Sequence, residues 1–115
     1  MGFFFYEKSG GKKMANVTFE AADSTLYAYL AGEIDHDSAQ LLRLAVDAQI
    51  DARMPGTLIL DFSGVGFMDS SGVGLILGRL RRMRAAGGKL CIRHPPAQIE
   101  KILQIAQIEV LEAKG

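Results

Sequence analysis

The stretch Thr57–Gly88, TLILDFSGVGFMDSSGVGLILGRLRRMRAAGG, decides how the rest of the chain is read. It opens on an apolar strand, Leu58-Ile59-Leu60, and leaves it through Asp61 and the flexible Ser63-Gly64-Val65-Gly66, where both glycines read as turn residues. The apolar pair Phe67-Met68 then delivers Asp69-Ser70-Ser71-Gly72 to the front of a helix. Apolar residues recur there at Val73, Ile76, Leu77, Leu80 and Met83, spacings of three and four that put one stripe on one face. Arg79 and Arg82 are expected on the polar face, and Gly87-Gly88 supplies a C-terminal stop.

Working outward, Asn16–Ala22 and Leu26–Leu30 read as a hairpin about the turn signal Asp23-Ser24. Gly32-Glu33-Ile34-Asp35 is expected to leave the sheet, and Asp37 or Ser38 to cap a helix ending near Ala52, with Ala39, Leu42, Val46 and Ile50 on one face. Pro55-Gly56 separates that helix from the central strand. Downstream, Lys89–Arg93 is a strand with Leu90 and Ile92 on one face and Cys91 on the other. Pro95-Pro96 opens a helix striped by Ile99, Ile102, Leu103 and Ala106, and Ile108–Leu111 is a last short strand. The order β-β-α-β-α-β-α-β predicts a single α/β domain. Its sheet is mixed, with parallel central strands joined by right-handed crossovers and an antiparallel hairpin at the start.

The chain has 115 residues, 49% of them hydrophobic, enough for one domain with a core of its own. Thirteen basic and thirteen acidic residues balance, so bulk charge points to neither nucleic acid nor membrane. The distribution is uneven: six basic residues and no acid lie between Arg79 and Arg93. One cysteine, Cys91, excludes an internal disulfide and suits a reducing cytoplasm. No apolar run approaches the roughly 20 residues of a membrane span. Residues 1–13 read as a flexible or mis-called extension ahead of a domain over residues 14–115. Gly10-Gly11-Lys12-Lys13-Met14 is what a purine-rich ribosome-binding site and start codon encode when read in frame, and Phe3-Phe4-Phe5-Tyr6 is too short for a signal segment.

The chemistry concentrates at Asp69-Ser70-Ser71-Gly72, where two readings coexist. In one, Asp69 or a serine merely caps the helix by accepting hydrogen bonds from its first turn. In the other, a serine hydroxyl here is a phosphoacceptor. The free N–H groups and the positive dipole end accommodate a phosphate, and Asp69 adds like-charge repulsion toward a close-fitting partner. A hydrolase nucleophile is disfavoured: the segment lacks G-x-S-x-G, and nothing places His36 or His94 beside a serine. Gly64-Val65-Gly66 is neither a dinucleotide nor a Walker motif, and two histidines and one cysteine without ligand spacing predict no metal. Arg79, Arg81, Arg82 and Arg84 span more than one helix face without interleaved aromatics, which favours a solvated face over a nucleic-acid patch. Cys91 reads as a small packed residue.

At FMDSSGVGLILGR the sequence closely resembles the anti-sigma-factor antagonists, small bacterial STAS-domain proteins of partner-switching systems. GEIDHDSAQ, Gly32–Gln40, resembles the loop and first-helix start of the same family, in the right order and spacing; the likeness covers roughly residues 15 to 111. The resemblance implies a STAS-like fold and a cytoplasmic, non-enzymatic binding module. It further implies that the unmodified protein binds a GHKL-type anti-sigma-factor serine kinase and frees the sigma factor. The kinase, which binds the ATP, phosphorylates Ser70, and a PP2C-type phosphatase reverses this. Asp69 would place the acceptor, while Ser71, Gly72, Asp35 and His36 would lie on the partner-binding surface. No cofactor, metal or catalytic residue of its own is implied. A stressosome-like scaffold module and a lipid- or nucleotide-sensing domain are the other readings. Family members often carry a further helix after the last strand, whereas this sequence stops at Gly115.

Overall fold

The structure is a computed structural model that describes residues 3–7 and 14–111, with side chains from residue 15 onward. Its strands and helices are β1 (Phe3–Glu7), β2 (Met14–Ala22), β3 (Thr25–Ile34), α1 (His36–Arg53), β4 (Thr57–Met68), α2 (Ser70–Ala85), β5 (Lys89–Arg93), α3 (Glu100–Ile105) and β6 (Glu109–Leu111). A 3₁₀ turn, Ala97–Ile99, leads into α3. The strands lie in sequence order in one six-stranded sheet. β1, β2 and β3 are antiparallel neighbours; β3, β4, β5 and β6 run parallel. Parallel strands that advance one place at a time through right-handed crossovers put their helices on one face. Burial agrees, because Leu26, Leu30, Leu58, Leu60, Leu90 and Ile92 share one core with Leu42, Val46, Ile76, Leu80, Met83 and Leu103. On the opposite face Tyr27 and Tyr29 stack with ring centroids 6.2 Å apart, and the Tyr29 hydroxyl donates to Glu20 at 3.0 Å.

The mixed sheet, the hairpin and the parallel centre are as expected; four local readings are corrected. Apart from these four, Phe3–Glu7, within the stretch read as a flexible or mis-called extension, forms β1 against β2, as its run of aromatic strand formers allows. The rest of residues 1–13 lies outside the described residues, apart from this strand. β4 is continuous, where a flexible break was expected at Ser63–Gly66. Its register against β3 shifts after Tyr29 and after Gly32, which absorbs the irregularity without ending the pairing. Gly64 is therefore a strand residue: a Cβ there would lie 2.9 Å from Ala31 Cβ and 3.1 Å from Leu30 O. Gly32-Glu33-Ile34 also stays in the sheet, as the end of β3.

The cap of α1 lies two or three residues before the expected Asp37 or Ser38. Asp35 caps α1, accepting from Ser38 N at 3.0 Å, and Ser38 Oγ accepts from Asp35 N at 2.9 Å, a reciprocal capping box. Ala39, Leu42, Val46 and Ile50 form its buried stripe as expected. The fourth correction is Arg79, expected in solvent but buried on α2 with its Nε 2.8 Å from Asp47 Oδ1 of α1. Burial by itself depresses the Arg79 pKa, and the Asp47 charge opposes that. At the far end of α2, Gly87 N donates to Arg84 O at 3.0 Å and Gly88 N to Met83 O at 2.7 Å, the paired bonds of a glycine stop.

Candidate functional site

The site is built by two strands that end side by side. Ile34 of β3 pairs with Met68 of β4, so the next residues, Asp35 and Asp69, begin α1 and α2 as neighbours. Asp69 N donates to Ile34 O at 3.1 Å, which ties the second helix start to the first. Asp69 then caps α2: its Oδ1 accepts from Ser71 N at 2.8 Å and its carbonyl from Gly72 N at 3.0 Å. The cap fixes the first turn before any partner arrives.

Ser70, the first residue of α2, is exposed, and its hydroxyl makes no hydrogen bond among the described residues. Ser71 is half-buried, and Gly72 is buried. A Cβ at Gly72 would drive into the Met68 side chain, so Gly72 serves packing beneath the surface and offers no side chain to a partner. Met68, in turn, is held from the other side: Gln98 Nε2 donates to Met68 O at 2.7 Å. His36 is exposed, and its ring lies 3.3 Å from Gln40 Nε2.

Between the first turns of α1 and α2 lies a cleft of about 200 Å³ lined by His36, Gln40, Arg43, Ser71 and Gly74. It brings two predicted residues together, His36 and Ser71, but no hydrogen bond joins them among the described residues. Gln40, Arg43 and Gln98 were not singled out from the sequence. Gln40 and Arg43 follow His36 by four and seven positions, a helical-face signal that was available. Gln98 carried none, because its contact depends on a chain reversal. Among the described residues no cluster of His, Cys, Asp or Glu is arranged to hold a metal, and no helix is long and apolar enough to cross a membrane.

Away from the helix starts, Asp61 on β4 is the one buried carboxylate among the described residues. Its Oδ1 accepts from Ser63 N at 2.8 Å, and its Oδ2 lies 3.6 Å from Arg93 Nε and 3.5 Å from His94 Nδ1. Burial pushes this carboxyl up, but the Ser63 and His94 interactions outweigh it and leave the pKa below the ordinary value. Cys91 is buried on β5, and burial pushes its thiol up, away from reactivity.

The STAS domain family model matches residues 16–112. Over 82 residues the chain is 37% identical to the anti-sigma F factor antagonist of Lysinibacillus sphaericus, covering 71% of this chain and 70% of that one. The structure of the anti-sigma factor antagonist SpoIIAA in its unphosphorylated form superposes with a TM-score of 0.73 at 31% identity, covering 85% of this chain and 89% of that one. SpoIIAA of Bacillus in its phosphorylated form gives a TM-score of 0.72 at 31% identity, covering 85% and 91%. The chain belongs to the STAS-domain family of anti-sigma-factor antagonists.

Proposed function

We propose that this protein is a partner switch without chemistry of its own. Unmodified, it binds an anti-sigma factor that is also a GHKL-type serine kinase, and so releases a sigma factor. The kinase transfers phosphate from its ATP to Ser70, binding is lost, and a PP2C-type phosphatase resets the protein. All of this takes place in the cytoplasm. The observation that carries the reading is the Ser70 hydroxyl: exposed, unbonded among the described residues, and first in a helix whose turn is already fixed by Asp69. A phosphate there adds roughly 1.5 to 2 negative charges at the positive end of the α2 dipole, changing the surface without opposing the fold. That SpoIIAA takes a fold similar to this chain in both its unphosphorylated and phosphorylated forms supports the second half of that statement. Asp35, His36, Asp69 and Ser71 surround the acceptor as the docking surface, with Gly72 supporting it from below.

The test is incubation with the purified anti-sigma factor of the same organism and Mg·ATP, followed by phosphopeptide mapping. One phosphate on Ser70 is expected, absent from Ser70→Ala and retained in Ser71→Ala. Phosphate on another residue, or none, contradicts the assignment.

A further inference from the structure

The seam between α1 and α2 is an ion ladder that stops one rung short. On α1, Asp51, Asp47 and Arg43 succeed one another four residues apart, on one face and toward the Ser70 end. Asp51 pairs with Arg82, and Asp47 with Arg79 at 2.8 Å and with Arg82 at 3.4 Å. At the next rung the α1 residue is Arg43, while α2 presents Gly74 and Leu75 where a carboxylate would complete the series. Arg43 is exposed and makes no ion pair among the described residues. It opens into the cleft that also holds His36, Gln40 and Ser71, and no acidic residue lines that cleft.

Gly74 adds an independent sign. A Cβ at this position would meet no atom within 4 Å, so the fold gains nothing from glycine, which weakens a helix interior. A bare helix surface at the mouth of a cleft suits close approach by another chain.

We infer that the cleft between α1 and α2 receives an acidic side chain of the protein partner, whose carboxylate pairs with Arg43 and supplies the missing rung. Gln40 and the Ser71 hydroxyl flank the carboxylate as hydrogen-bond donors, and Gly74 leaves room for the backbone that carries it. The inference rests on the partner-switch reading and deepens it. It makes binding depend on a second point, distinct from the phosphoacceptor. Because Arg43 is exposed, its attraction is felt during encounter and weakens with salt.

The experiment measures binding of the same organism's anti-sigma factor to the wild type, Arg43→Glu and Gly74→Leu at low and high salt, with Ser70 phosphorylation followed in parallel. Arg43→Glu is expected to weaken binding by about ten-fold at low salt and by less at high salt, with an unchanged thermal melt. Reversing one acidic residue on the partner to lysine should restore it. Gly74→Leu should weaken binding at both salt concentrations. If Arg43→Glu binds within about two-fold of the wild type, or more tightly, while the wild type binds and is phosphorylated on Ser70, the cleft is not the acid's receptor and the partner switch stands. If the wild type neither binds nor is phosphorylated, both proposals fall.

Discussion

Ser70 and Gly72 stand two residues apart on the same helical turn, yet the structure gives them opposite duties. Ser70 faces solvent with nothing bonded to its hydroxyl among the described residues, so a change in its charge acts on partners first. Ser70→Asp is expected to lower affinity for the anti-sigma factor while the melting temperature stays within about 4 °C of wild type, because the charge sits at a helix N-terminus. Gly72 is buried on Met68, so Gly72→Ala forces a methyl into a filled space and should cost about 1–3 kcal/mol in denaturant unfolding. Gly74→Ala, on the same helix with open space around it, should instead stabilise by about 0.5–1 kcal/mol. If both glycine variants shift stability in the same direction, the assignment of their surroundings is wrong.

At the scale of elements, the two helix starts carry the site, and they and the β4–β5 pair each have a polar clasp. Ser38 closes the capping box of α1 and also donates to Glu33 O at 3.1 Å, joining the helix start to β3. Ser38→Ala should cost about 1–2 kcal/mol, measured by the denaturant midpoint at constant slope. Asp61 sets a pH dependence. Its folded-state pKa lies below the ordinary 3.8, so its contribution is complete above that value and is lost as pH falls through the folded one. Between about pH 5 and pH 3 the wild type should therefore lose more stability than Asp61→Asn. Equal losses would show that the Ser63, Arg93 and His94 contacts do not stabilise the ionised form.

The element scale also shows what the sequence made legible. DSSG at a helix start could be read because an aspartate, two hydroxyls and a glycine ahead of a 3.6-residue stripe have few other uses. The α1 stripe was equally plain. Arg79 was not, since periodicity sorts residues by polarity, and the opposing Asp47, with Leu75 O, makes that position habitable for a guanidinium. Ser63-Gly64-Val65-Gly66 has loop composition, which predicts a break that β4 does not have. Its pairing with β3 through a shifted register, and the close approach at Gly64, are contacts between segments more than thirty residues apart. Such contacts leave no local trace. The Arg43 cleft was missed for the same reason, as half its wall belongs to another helix.

At the scale of the molecule, one core lies between a sheet and the three helices on one of its faces, and the candidate site sits where β3 and β4 hand over to α1 and α2. Leu60 lies fully buried at the middle of that core on the strand that leads to Ser70. Leu60→Ala should cost about 2–5 kcal/mol and unfold the domain as one cooperative unit, with far-UV and near-UV signals moving together. Separate transitions would mean that the helix layer and the sheet are not one folding unit. The same architecture explains how a local charge can regulate without remodelling. Ser70 lies on a capped helix end outside the core, so under the proposed switch the two states would share one fold and differ in what they bind. The most direct measurement is the affinity of the anti-sigma factor, by calorimetry with nucleotide present, for unmodified protein and for protein stoichiometrically phosphorylated on Ser70. The account predicts tight binding of the first and a loss of at least about a hundred-fold for the second, with superimposable circular dichroism spectra. Equal affinity for the two forms, or a phosphorylated form that has lost its fold, would contradict it.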